Sequence, residues 1–268
     1  VEHLEKTSMQ LVVSLKVSMT GRLKYLMEIY SKTDIGRVRE TNQDAVLVKK
    51  ISDDFAWSLV CDGMGGTYGG DVASRTAVKV IENYMDSFLS ENDSLDEIKT
   101  KIHNAVNEAN LKIFEKSKMD ENLNHMGTTV VLCVAHNNFI QIVYAGDSRV
   151  YVVNKDEIHQ LSKDHSIVQE MLDSGEISAQ DAKNHPQKNI ITRALGINSE
   201  IKLDYIEYET KKEDIVLSCS DGLTNCLDEE NIYNICNRNE ISSLASDLVR
   251  EANNRGGNDN ITVALIKI

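Results

Sequence analysis

Between residues 29 and 268 the apolar residues come in blocks of a single periodicity, and that order restricts the architecture more than any one motif does. Runs at 29–35, 44–50 and 55–61 are rich in β-branched and aromatic residues and read as strands. Ala77, Ile81, Tyr84, Met85 and Phe88 then fall at helical spacing. Leu95, Ile98, Ile102, Val106, Ala109 and Ile113 repeat that spacing behind Ser94-x-x-Glu97, which has the form of a capping box, so the two helices are expected in one layer. Four further β-rich runs at 128–135, 139–145, 149–154 and 157–161 are parted by Asn137-Asn138, Gly146-Asp147 and Asn154-Lys155-Asp156, which predicts an antiparallel meander. Segment 162–198 breaks the pattern with short polar helical pieces around 166–174 and 178–184, and is expected to form a surface flap. Strands are predicted again at 200–208 and 214–220, helices at 229–236 and 241–254, and a closing strand at 260–267. Strands in runs and helices in runs predict α+β layering, not an alternating βαβ sheet.

No Gly/Ser-rich or Pro-rich linker divides the chain and its one proline is Pro186, so a single compact domain is the expectation for residues 29–268. Residues 1–28 read as an extension with an irregular apolar pattern and no visible chemistry. Its apolar stretch at 9–19 is interrupted by Lys16 and lacks a small-residue cleavage site, so a secretory leader is not expected. No apolar run approaches the roughly 20 residues of a membrane helix. A formal net charge of −13 excludes nucleic-acid binding through a general basic surface. Five cysteines without C-x-x-C spacing indicate neither a disulfide framework nor a zinc cluster, and fit a reducing cytoplasm.

Aspartates recur where strands end. Val60-Cys61 runs into Asp62-Gly63, Ser218-Cys219-Ser220 runs into Asp221-Gly222, and Asp259-Asn260 leads into Ile261-Thr262-Val263. Asp44 opens the strand at 44–50 and Asp147 sits at a strand-to-strand turn. Any one Asp-Gly is also an ordinary turn dipeptide, so the weight lies in the set. Carboxylates converging at one end of a sheet raise each other's pKa unless a cation neutralises them. Oxygen-only ligands suit Mg²⁺ or Mn²⁺, and the seven histidines are scattered without metal-ligand spacing. Glycines after Asp62 would allow close approach, so that the Gly63 carbonyl could itself be a ligand; a glycine loop that binds nothing is the plainer alternative. Arg37 and Arg39, read as an extended segment, project to one side ahead of Asp44, where a guanidinium could grip phosphate bidentately or simply pair with surface carboxylates.

Together these motifs resemble the PPM, or type 2C, family of metal-dependent protein serine/threonine phosphatases, in particular its compact bacterial branch. The resemblance runs from residue 29 to 268. It rests on Thr33-Asp34-Ile35-Gly36 with Arg39 and Asn42-Gln43-Asp44, then Asp62-Gly63-Met64-Gly65-Gly66, Met126-Gly127-Thr128-Thr129 and Gly146-Asp147-Ser148-Arg149. His185-Pro186-Gln187, Ser220-Asp221-Gly222-Leu223 and Gly257-Asn258-Asp259-Asn260 complete it. It implies a four-layer αββα sandwich, two central antiparallel sheets flanked by helices, with a metal site at one end. Asp62 would bridge two Mn²⁺ or Mg²⁺ ions, with Asp221 and Asp259 completing the first and the Gly63 carbonyl serving the second. Asp147 with Asp221 matches residues that hold a third, weaker metal in bacterial members, and Arg39 would clamp the substrate phosphate. A metal-bridging hydroxide would attack phosphorus directly, making Arg39, Asp62, Asp221 and Asp259 the catalytic set, on phosphoserine and phosphothreonine proteins phosphorylated by a cognate Ser/Thr kinase. A cytoplasmic monomer is expected.

Two positions depart from the wider family: Met64 stands where many eukaryotic members carry a histidine, which leaves the general acid unassigned, and Gln43 replaces a glutamate. A metal-dependent nuclease would use similar aspartates but should show a basic groove. A catalytically weak phosphoprotein-binding pseudophosphatase is the other reading, opposed by the retention of Asp62, Asp147, Asp221 and Asp259.

Overall fold

A computed structural model of the chain describes residues 26–183 and 185–268. The reading of 9–19, and the extension 1–28 except its last three positions, lie outside the described residues. The elements run β1 (Glu28–Asp34), β2 (Asp44–Ser52), β3 (Phe55–Met64), α1 (Gly66–Phe88), α2 (Leu95–Met119), β4 (Gly127–Thr128), β5 (Val130–His136), β6 (Phe139–Ala145), β7 (Arg149–Val153) and β8 (Ile158–Gln160). They continue with α3 (Ile167–Asp173), α4 (Ala179–Lys183), β9 (Asp204–Glu209), β10 (Ile215–Cys219), α5 (Asp221–Thr224), α6 (Glu229–Cys236), α7 (Ile241–Asn254) and β11 (Ile261–Lys267).

The strands form two antiparallel sheets. One has the order β2-β3-β5-β6-β9, with β4 added on β3; the other has the order β1-β11-β10-β7-β8. Strand alternation assigns each residue a layer. In β5, Val131, Cys133 and Ala135 point into the core between the sheets, while Val130, Leu132 and Val134 point toward α1 and α2. In β10, Val216 faces the other sheet, and Leu217 and Cys219 face the α5–α7 side with Leu223, Ile232, Leu244 and Leu248. Three apolar cores therefore separate four layers, the αββα sandwich that the resemblance implies.

One local expectation changes. The four runs from 128 to 161 are not one meander: β5 pairs with β6 in the first sheet, β7 pairs with β8 in the second, and the chain crosses between sheets at Gly146-Asp147. A turn dipeptide specifies a reversal but not which sheet receives the next strand, so local signals read as a hairpin. The helix expected after Gly65-Gly66 is α1, which starts at Gly66, so the alternative of a glycine loop does not hold there. The low helix propensity of its glycines is overridden by packing against β3. The Ser94 capping box is present, with Ser94 N donating to Glu97 Oε2 at 2.8 Å and Glu97 N donating to Ser94 Oγ at 3.3 Å.

Candidate metal centre

Antiparallel pairing brings the aspartate-bearing ends of both sheets to one edge of the sandwich. In the first sheet Asp44, opening β2, stands directly opposite Asp62 near the end of β3. In the second, β10 ends at Cys219 opposite both Arg149 of β7 and Val263 of β11, so Asp221, Asp147 and Asp259 emerge side by side. Their charges act across the gap between sheets: Asp62 is raised well above the ordinary carboxylate range, first by burial and then by Asp44, Asp221, Asp147 and Asp259. All five carboxylates proposed from the sequence thus meet in one place.

Two like charges about 4 Å apart repel by ~4 kcal/mol at an effective dielectric of ~20. The group therefore resists full ionisation. Asp44, 5% exposed, is pushed up to about 7, mainly by burial and then by Asp221 and Asp259, with hydrogen bonds from Thr262 and Ser220 opposing the rise. Asp147 rises to about 8 through burial, Asp221 and Asp164. Asp221 is raised by burial and then by Asp259, against the pull of Asn225, Asp62 and Arg39. Asp62, Asp147 and Asp221 still touch solvent, so the cluster lies in a crease open to small ions.

Three of the carboxylates have holders of their own, and Asp62 is held through its backbone. Ser220 Oγ donates to Asp44 Oδ2 at 2.7 Å, Asn225 Nδ2 to Asp221 Oδ2 at 2.9 Å, and Arg39 Nη2 to Asp259 Oδ2 at 2.7 Å. Thr129 Oγ1 accepts from Asp62 N at 2.9 Å. These ties spread the carboxylates, and among the described residues no three His, Cys, Asp or Glu side chains are gathered tightly enough to enclose a cation as they stand. The donor chemistry nonetheless fits a hard divalent cation: five oxygen-donor side chains crowd together, and among the described residues the Arg39 guanidinium supplies a positive group to one of them through a hydrogen bond. The Arg39 side chain is 55% exposed, and such a pair adds only ~0–1 kcal/mol of stability, so its placement bears on the cleft and not on folding.

The backbone around the site is packed without room for a side chain. A Cβ on Gly63 would lie 2.1 Å from the Gly70 carbonyl oxygen, and one on Gly222 would lie 1.9 Å from the Asn260 carbonyl oxygen. Gly70 and Gly222 thus join β3 to α1 and α5 to β11, a role the sequence reading did not assign. Asn260, whose sequence position gives it no role beyond preceding a strand, fixes the segment carrying Arg39: its Oδ1 accepts from Gln43 N at 2.8 Å and its Nδ2 donates to the carbonyls of Ile35 at 3.0 Å and Thr41 at 2.9 Å. That segment is a turn at 36–38, not an extended run, so Arg37 and Arg39 do not project together. Arg37 N donates instead to the Gly257 carbonyl, and Arg39 alone reaches the carboxylates. Gln43 Nε2 is tied to the Gly66 carbonyl at 2.9 Å. Cys61 and Cys219 are fully buried strand residues whose thiols burial pushes far up, so neither is a nucleophile.

Residues 36–262 match the sequence profile of protein phosphatase 2C. The chain belongs to that family. The serine/threonine phosphatase stp of Listeria innocua is 38% identical over 239 residues, covering 88% of this chain and 94% of its own length. The Streptococcus agalactiae serine/threonine phosphatase structure superposes with a TM-score of 0.84 at 33% identity, covering 90% of this chain and 99% of the other. The catalytic domain of the serine/threonine protein phosphatase PstP, solved in complex with two manganese ions, superposes with a TM-score of 0.78 at 30% identity, over 90% of this chain and 97% of its own. Membership in this phosphatase family makes the chain a protein serine/threonine phosphatase and a hydrolase. Among the described residues no helix is long and apolar enough to cross a membrane.

Proposed function

We propose that this phosphatase hydrolyses phosphoserine and phosphothreonine on proteins at a two-cation centre held by Asp62, the Gly63 carbonyl, Asp221 and Asp259. Asp147 would serve a third, weaker cation with Asp221, and Asp44 would bear on the group from behind Asp62. The observation that carries this reading is the convergence of five carboxylates from both sheets with pKa values driven upward, a charge imbalance that divalent cations relieve. The manganese-bound PstP relative is consistent with Mn²⁺, and oxygen donors also accept Mg²⁺. When bound, such a pair stabilises the oxygens of an in-line displacement and supplies a nucleophile at neutral pH.

The chain's own groups do the positioning. Asp62, at the end of a central strand and anchored through its backbone to Thr128 and Thr129, sits where both sheets' charges meet. Arg39 reaches across to Asp259 on a half-exposed side chain, so it can turn from that carboxylate to the two oxygens of a phosphoryl group. Ser220 and Asn260 hold Asp44 and the Arg39 turn without touching substrate. The buried Cys61 and Cys219 thiols take no part, and we take the phosphoryl group to pass directly to water, without a phosphoenzyme. Physiological substrates would be phosphoproteins made by a Ser/Thr kinase; the five free cysteines, four of them buried, favour a reducing cytoplasm, and we take the working form to be a monomer.

Phosphate release from a phosphothreonine peptide tests this directly. Wild type should require added Mn²⁺, and Asp221→Asn should lose at least about a hundredfold in rate. Metal-independent release, or an Asp221→Asn enzyme of normal rate, would remove the two-cation mechanism.

A further inference from the structure

Beside the metal centre the flap side of the cleft holds a cavity of about 440 Å³. Half of its lining is apolar, Met64, Ile190, Ile191, Ala194, Ile197 and Ile201, and the polar half includes the charged Arg193, Glu200 and Lys202. Met64 is the last residue of β3 and directly follows Gly63, so the cavity's lining begins one residue along the chain from the proposed Gly63 ligand. Ile190 and Ile197 are 43% and 38% exposed, leaving branched apolar surface facing water at the cleft.

This wall is held from every side. Asn110 of α2, 1% exposed, gives all its hydrogen bonds to the stretch after Leu195: its Oδ1 accepts from Gly196 N at 2.8 Å, and its Nδ2 donates to the carbonyls of Asn198 at 3.0 Å and Ser199 at 3.1 Å. Leu195 and Thr128 exchange backbone hydrogen bonds of 2.9 and 3.2 Å, which ties the wall to β4 beside Met64. Ile191 bridges to Ser166, and the Ile190 carbonyl accepts from Ile167 N at 3.0 Å. Arg193 Nη1 donates to Asp204 Oδ1 at 2.6 Å, so its charge is already paired on the β9 side. A polar side chain buried to fix one irregular segment marks a preformed surface, since each such bond left unmade would cost ~1–3 kcal/mol.

We propose that this cavity receives a bulky apolar side chain of the substrate, located within three residues of the phosphorylated serine or threonine. The proposal rests on the phosphatase reading above. Continuity selects the occupant: an extended peptide advances ~3.3 Å per residue, so a chain whose phosphate lies at Asp62 and Gly63 passes Met64 within a few residues. The volume lies toward the small end of the ~300–1,000 Å³ of ligand pockets, which suits one or two side chains and not a docked helix. The apolar half of the lining then discriminates by burial, favouring leucine, isoleucine or phenylalanine over serine.

The test uses phosphothreonine peptides carrying leucine or serine in turn at each of the three positions on either side, with Mn²⁺ present. At one position wild type should prefer leucine by about tenfold to a hundredfold in kcat/KM. Ile197→Asp should bring that ratio close to one, as should Ile190→Asp on the other lip, and a ratio taken within one enzyme is insensitive to partial loss of fold. Equal rates for leucine and serine at all six positions, or an unchanged ratio in both variants, would overturn the proposal. Anisotropy of the same peptides carrying fluorescein separates the two readings. If wild type hydrolyses none of them, the phosphatase reading fails, while tighter binding of the leucine peptide still supports the cavity and equal binding refutes it.

Discussion

The floor of the cleft and its flap-side wall are built by different means. The floor consists of strand ends: Asp44 and Asp62 are opposed by β2–β3 register, and Asp147, Asp221 and Asp259 emerge where β7, β10 and β11 pair. Its geometry follows from two sheets closing on a common apolar core of Val131, Cys133, Ile142, Val150 and Val216. The wall at 189–202 belongs to no strand or helix and keeps its shape through Asn110, Asp204 and Thr128, which come from three separate elements. A floor built this way presents charges at fixed spacing, as chemistry on one phosphoryl group requires, while a wall held by a few polar ties can vary without disturbing the sandwich.

If that division is right, substitutions in the floor's close contacts should cost global stability and those in the wall should not. Gly222→Ala forces a methyl group to within 1.9 Å of the Asn260 carbonyl and must shift α5 from β11. Urea denaturation should show a loss of ~3 kcal/mol or more, together with loss of activity. Asn110→Ala removes three of the wall's hydrogen bonds and should cost ~1–3 kcal/mol while retaining Mn²⁺ binding and reducing discrimination between peptides. An Asn110→Ala protein that lost its metal binding would show floor and wall to be one unit.

A smaller effect comes from the floor's electrostatics. Asp44 at about 7 and Asp147 at about 8 lie above the ~4 of an unfolded aspartate, so the cation-free folded chain binds the extra protons. The stability these protons confer is complete below about pH 4 and is lost as pH rises through 7 and 8. Cations take over the protons' role, so the rise in Tm on adding Mn²⁺ should be larger at pH 8 than at pH 6 by roughly 5 °C. Equal increments at the two pH values would show that the carboxylates are not the groups neutralised.

The floor was legible because its signals are local and repeated: a β-rich run with an aspartate at its edge, at several places in one chain. The switch at Gly146-Asp147 was not, since turn chemistry specifies a reversal and only long-range pairing selects β10 as the next partner of β7. Asn110 lies among the apolar positions of α2, and a single asparagine on a helix gives no sign that it reaches residues 86 to 89 positions away. The close approach of Gly70 to Gly63 of β3 left no sign either, since a glycine in a helix does not say which strand it packs on.

The central claim is that carboxylates from both sheets together hold a pair of divalent cations, and calorimetric titration of the metal-stripped chain with Mn²⁺ tests it most directly. Wild type should bind two equivalents with the highest affinity, and Asp62→Asn, which removes a carboxylate that feels the other four, should lose both. Binding of two equivalents by Asp62→Asn with undiminished affinity, or no binding by wild type, would contradict the account.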